Sequence, residues 1–151
     1  KRFAAAKVVK NKVDSLIAIN PNTKIIIMGD FNDEPVSPSV ADILGAKGKL
    51  NDLKQGDIYN PWVDFYKKGM GSSAFNDSWG LFDQVMISTG NLEEYTNISY
   101  FHKAVIFKRD FMIQKTGRYK NYPKRTFDSN RYAGGYSDHF PTYLIFVKPV
   151  N

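Results

Sequence analysis

Apolar residues recur at helical spacing near the start of the chain. Ala6, Val9, Val13, Leu16 and Ile17 fall on one face of a helix over Phe3–Ile19, with Lys7, Lys10, Asn11 and Asp14 opposite. Asn20-Pro21-Asn22 ends it, because proline cannot continue a helix. No capping residue announces its start, so the chain is expected to begin inside a larger domain. The run Ile25-Ile26-Ile27-Met28 is short and β-branched, which predicts a strand buried on both faces. Gly29 is expected to permit a sharp change of direction, leaving Asp30 and Asn32 over a cleft at the strand end. Ser37 as a cap and Pro38 as first helical residue predict a short helix from Pro38 to Leu44, stopped at Gly45. Asn60-Pro61 repeats the signature, with Trp62, Phe65 and Tyr66 on one face of a helix closed by Gly69.

Alternation takes over at Leu81–Ser88. Leu81, Asp83, Val85 and Ile87 share one face of that strand; Phe82, Gln84 and Met86 share the other. Asn91–Ser99 reads as a polar connection, Ala104–Phe107 as a short strand and Phe140–Val147 as a final one. The succession of helix, turn and buried strand predicts an α/β layered architecture.

Composition narrows the function classes. The 151 residues contain no cysteine, which excludes disulfides and thiolate zinc sites. No apolar run is long enough to span a bilayer. No secretory leader is visible, but Lys1 is an unusual first residue, so a preceding segment is expected. The net charge of +6 favours an anionic partner. Much of it lies in Lys108–Phe127, where Tyr119, Tyr122 and Phe127 are interleaved with lysine and arginine. That mixture suits stacking on bases and neutralising phosphates, although taken alone the segment reads first as a solvated loop with ordinary aromatic packing.

Two further features carry chemistry. Asp83 shares a strand face with three apolar residues, and a carboxylate so placed needs a donor from elsewhere in the chain. Ser137-Asp138-His139 stands just before the final strand. His102 has no acidic or motif neighbour and reads as structural.

Gly29-Asp30-Phe31-Asn32, the strand Phe82–Ser88 and Ser137-Asp138-His139, in that order, resemble the endonuclease/exonuclease/phosphatase superfamily of DNase I-like nucleases and metal-dependent phosphoesterases. The resemblance implies an α/β fold, here half of a four-layer α/β sandwich with a mixed, mainly antiparallel sheet and flanking helices. It implies phosphoester hydrolysis with Mg²⁺ or Mn²⁺. Asp30 would activate the attacking water, and Asn32 would hold that water or a phosphate oxygen. His139 would bond a phosphate oxygen, Asp83 would hold His139, and Asp138 would belong to the metal site. An oxygen-rich donor set without cysteine suits such a hard cation.

Family members also carry an N-terminal half with an asparagine, a metal-binding glutamate and another histidine. Asp33 and Glu34 cannot stand in for that glutamate by position. Residues 1–151 are therefore expected to form the C-terminal part of one domain. Its expected partners are the N-terminal half or a second copy of the fragment, and a phosphoester substrate. Nucleic acid, a phosphoinositide or sugar phosphate, and a sphingomyelin-type lipid all fit; the basic segment tilts the expectation to nucleic acid. The alternative function is a non-catalytic module on the same fold that binds phosphate or nucleic acid.

Overall fold

The computed structural model describes residues 1–92 and 100–148. Helix α1 spans Arg2–Ile19 and α2 spans Trp62–Lys67. The strands are β1 (Ile26–Asp30), β2 (Ala46–Lys47), β3 (Ile58–Tyr59), β4 (Ser73–Phe75), β5 (Ser78–Gly80), β6 (Asp83–Ser88), β7 (Tyr100–Ile106), β8 (Phe127–Asp128), β9 (Arg131–Tyr132) and β10 (Thr142–Val147). The protein is mixed α/β, and its main sheet is mostly antiparallel, with order β1-β6-β3-β2 and only β2–β3 parallel. β10 and β7 form a separate antiparallel pair. The connection expected over Asn91–Ser99 lies mainly outside the described residues; Asn91 itself is buried and donates from Nδ2 to the Ile25 carbonyl at 2.9 Å.

The core gathers where α1 crosses the main sheet. Val13, Val40, Leu44, Ala46, Ile58 and Met86 are buried together, with Val9, Ile17, Ile25, Ile27 and Phe31 packed against them. Removing a side chain such as Met86 from water is worth roughly 1.5–3 kcal/mol. Ile25, Ile27 and Phe31 alternate along one face of β1, which is why that face joins the core.

The opposite face of β1 corrects the sequence expectation. Ile26 is 50% exposed and Met28 75% exposed, so the strand is not buried on both faces. β1 is the edge of its sheet, and the β7–β10 pair packs against β6 rather than reaching over it. An apolar run cannot reveal whether a second layer covers it. Gly29 is corrected too: the ladder runs through it, with Gly29 opposite Gln84 and Asp30 opposite Asp83. The Phe31 amide still donates to the Phe82 carbonyl at 2.9 Å, and the chain turns at Asn32, whose φ is +51°.

The short helices follow their signals with one exchange. The segment after Pro38 is a single π-type turn, Ser39–Ile43, ended by Gly45 at φ +75°. Ser37 does not cap it with its side chain; its Oγ accepts the Glu34 amide at 3.0 Å and so closes the preceding turn. Asn60 does cap α2, its Oδ1 accepting the Trp62 amide at 3.1 Å. Trp62 is fully buried, and its indole N–H donates to the Val85 carbonyl at 3.0 Å, fastening α2 to β6. The strand expected at Ala104–Phe107 is longer, Tyr100–Ile106.

Candidate active site

β1 and β6 bring two carboxylates to one sheet end, because Asp30 and Asp83 are direct partners across the ladder. Paired residues point to the same face, so both side chains leave the sheet together. Phe31 turns into the core and Asn32 outwards. The Asn32 amide donates to Asp30 Oδ1 at 2.9 Å, a local turn that orients the carboxylate. The Asn32 side chain is exposed.

His139 arrives from the far end of the chain. It bridges to Ser73 of β4, and the next amide, Phe140, donates to the Ser72 carbonyl at 2.7 Å. Phe140 is fully buried and stacks on Trp79 with ring centroids 6.0 Å apart. This backbone seat brings His139 Nδ1 to 2.7 Å from Asp83 Oδ2. An ionised carboxylate only accepts, so Nδ1 carries the proton in that bond. Nε2 takes part in no hydrogen bond among the described residues. Asp83 is half-buried, and the donor that its strand position demanded is His139, joined by Ser72, whose Oγ donates to the same oxygen at 2.5 Å.

Asp30, Asp83 and His139 form one cluster, with one candidate ligand atom from each lying within 4.8 Å of the others. Asp138 is exposed and stands outside it. Asp33 and Glu34 are engaged elsewhere. The Asp33 carboxylate receives Arg2 at 3.1 Å and the Ser39 hydroxyl. Glu34 accepts the Leu81 amide at 2.9 Å. Burial raises the Glu34 carboxyl above the ordinary carboxylate range, the Leu81 bond opposes this and the Asp33 charge adds to it.

Two supporting residues escaped sequence reasoning. Ser72 sat in a glycine- and serine-rich loop with nothing to mark it. Gln84 did carry a signal, a polar residue on the core-facing side of β6. It is buried, accepts Asn60 Nδ2 at 2.8 Å and donates to the Asp33 carbonyl at 2.7 Å and the Leu81 carbonyl at 3.2 Å. Gln84 therefore fastens the segment that follows Asp30 to the strand that carries Asp83.

The model of the endonuclease/exonuclease/phosphatase family matches residues 1–148. The chain belongs to that family. Searches of the curated proteins and of the solved structures return no match. Family membership makes a hydrolase of the nuclease or phosphatase type the reaction class against which the cluster is to be read. The donor set suits the divalent metal general to the family: the Asp30 carboxylate is exposed, and only one oxygen of Asp83 is taken by His139 and Ser72. Oxygen donors that leave room for water and substrate are what Mg²⁺ and Mn²⁺ take.

Proposed function

We propose that this chain carries the water-activating and phosphate-binding side of a divalent-metal-dependent phosphoester hydrolase. The observation that carries the proposal is the joining of Asp30, Asp83 and His139 into one cluster, with Asp83 hydrogen-bonded to His139. A bound Mg²⁺ or Mn²⁺, held by carboxylate oxygens of the Asp30–Asp83 cluster and by water, would supply Lewis-acid polarisation of the phosphate. The protein's own part is positioning and charge. Asp30, aimed by the Asn32 amide, accepts a proton from the attacking water and orients it. The Asn32 amide side chain donates to that water or to a phosphate oxygen. His139 donates from Nε2 to a phosphate oxygen, and Asp83 holds the ring and balances the imidazolium charge. Such fixed donors and charges supply most of the catalysis in phosphoryl transfer.

The proposal includes a further part of the same domain that completes the metal site. The exposed Ile26 and Met28 on β1 support it, since an apolar sheet face is normally covered.

The test is hydrolysis of a small chromogenic phosphodiester, a phosphomonoester, DNA and RNA by the protein that contains this chain, with Mg²⁺ and with EDTA. Turnover of one class that disappears in EDTA is expected. Turnover undiminished by EDTA would overturn the metal dependence. Binding without any turnover would favour the non-catalytic module.

A further inference from the structure

A cleft of about 420 Å³ opens between the β4–β5 hairpin and the basic segment. Phe75, Asp77, Arg118, Tyr119, Tyr122 and Arg125 line it. Both guanidinium groups lie near the Tyr119 ring, Arg118 at 5.6 Å and Arg125 at 5.9 Å from its centroid. Neither arginine pairs with a carboxylate among the described residues. Asp77, the acidic member of the lining, is tied back against the wall. The Tyr122 hydroxyl donates to its Oδ1 at 2.7 Å and accepts its amide at 2.6 Å. The cleft therefore keeps a net positive charge beside open aromatic surface, with Phe75 73% exposed and Tyr119 37% exposed.

Its place in the fold matters as much as its lining. Ser73 is bridged to His139, and Phe75 is two residues further along the same strand. At about 3.3 Å per residue that step is about 7 Å. One strand of stacked nucleic acid advances about 3.4 Å per nucleotide, so a step of this size along β4 is on the scale of neighbouring nucleotides.

The two kinds of lining group select the ligand. Guanidinium forks match phosphate oxygens. A sugar phosphate, an inositol phosphate or a lipid headgroup would use them and leave Phe75 and Tyr119 idle. Exposed ring faces match an unpaired base, which a duplex keeps stacked inside. We propose that the cleft is a subsite for single-stranded nucleic acid: Arg118 and Arg125 hold a phosphate next to the one at the catalytic cluster, and Tyr119 and Phe75 stack its base. That this strand is then cut rests on the hydrolase proposal above; the binding does not.

The experiment is fluorescence anisotropy of a labelled oligothymidylate with the full protein in EDTA, where no metal bridges substrate to the cluster. The single strand binds more tightly than a duplex of equal length and than anionic phosphatidylserine vesicles. Arg118→Gln with Arg125→Gln weakens it at least tenfold and lowers the slope of log K against log salt by about 0.7, the loss of one neutralised phosphate. Tyr119→Leu and Phe75→Ser weaken it several-fold, and Tyr119→Phe restores it; the exposure of Phe75 keeps its variant folded. Lys12→Gln, which removes a charge on α1, changes nothing beyond error. Preference for the duplex or the vesicle, or wild-type binding by the double arginine variant, would overturn the proposal. Hydrolysis of a small phosphodiester by the unaltered protein is measured beside it. Binding of the oligonucleotide without that hydrolysis would count against the enzyme alone, and hydrolysis without binding against the subsite alone.

Discussion

Asp30 and Asp83 face each other across β1 and β6, so two like charges leave the sheet from directly opposed positions. Opposed like charges destabilise a strand pair, and only a cation or a proton relieves them. Asp30→Asn is accordingly expected to raise the melting temperature of the metal-free protein slightly, by about 1–3 °C, while removing hydrolysis. Mg²⁺ should raise the melting temperature of the wild type and leave that of the variant unchanged. Thermal melts with and without Mg²⁺ check both; a variant that melts lower than the wild type in EDTA would show that no repulsion is stored there.

Asp83→Asn keeps the shape of the side chain but loses the charge that supports an imidazolium at His139. Turnover should fall by on the order of 10²-fold or more, with the circular dichroism spectrum unchanged. Because Ser72 and His139 share one oxygen of Asp83, Ser72→Ala should weaken turnover less than Asp83→Asn. Equal losses in the two variants would place the effect in the seating of the hairpin and not in charge.

Gln84→Leu should be the most destabilising of these changes. It leaves Asn60 Nδ2 and the carbonyls of Asp33 and Leu81 without their partner. Buried unpaired groups cost about 1–3 kcal/mol each, with partial relaxation, so a loss of about 2–4 kcal/mol is expected in urea unfolding. Activity of the folded fraction should fall as well, since the Asp33 carbonyl anchors the turn beyond Asp30.

Glu34 gives a pH signature. Its folded-state pKa is raised by burial above the unfolded value. The charged form is therefore disfavoured in the fold, and stability falls as pH rises from the unfolded pKa through the folded one. Glu34→Gln keeps an oxygen for the Leu81 amide and does not titrate. It should melt no lower than the wild type at pH 7, with any advantage closing below about pH 4. A wild type that gains on the variant as pH rises would reverse the sign.

How much of this was legible in the sequence depended on whether the signal was local. Asn60 capping α2, the end of α1 at Asn20 and the face of β6 were readable because each depends on neighbours a few residues away. The need of Asp83 for a partner was readable from its face; that Ser72 shares that role with His139 was not, since nothing in a Gly-Ser loop says where it folds back. The β4–β5 hairpin was passed over although Asn76 and Asp77 both sit at positive φ, +47° and +61°, as a tight two-residue turn requires. The exposed side of β1 shows the opposite failure. Ile25 to Met28 announce a strand clearly, but coverage is decided by layers that a single run of residues does not encode.

The seating of His139 on the β4 backbone has a further consequence for how the site comes into being. Its partner Asp83 lies 56 residues earlier, and the bond depends on the Ser73–His139 bridge and on Phe140 being stacked on Trp79. Closing so long a loop carries an entropy cost that local structure does not repay in advance. The main sheet can therefore be complete while the imidazole is still loose, and a nascent or partly melted chain would carry both carboxylates without the histidine that joins them. Whatever clamps the final strand in place acts as the latch that arms the protein.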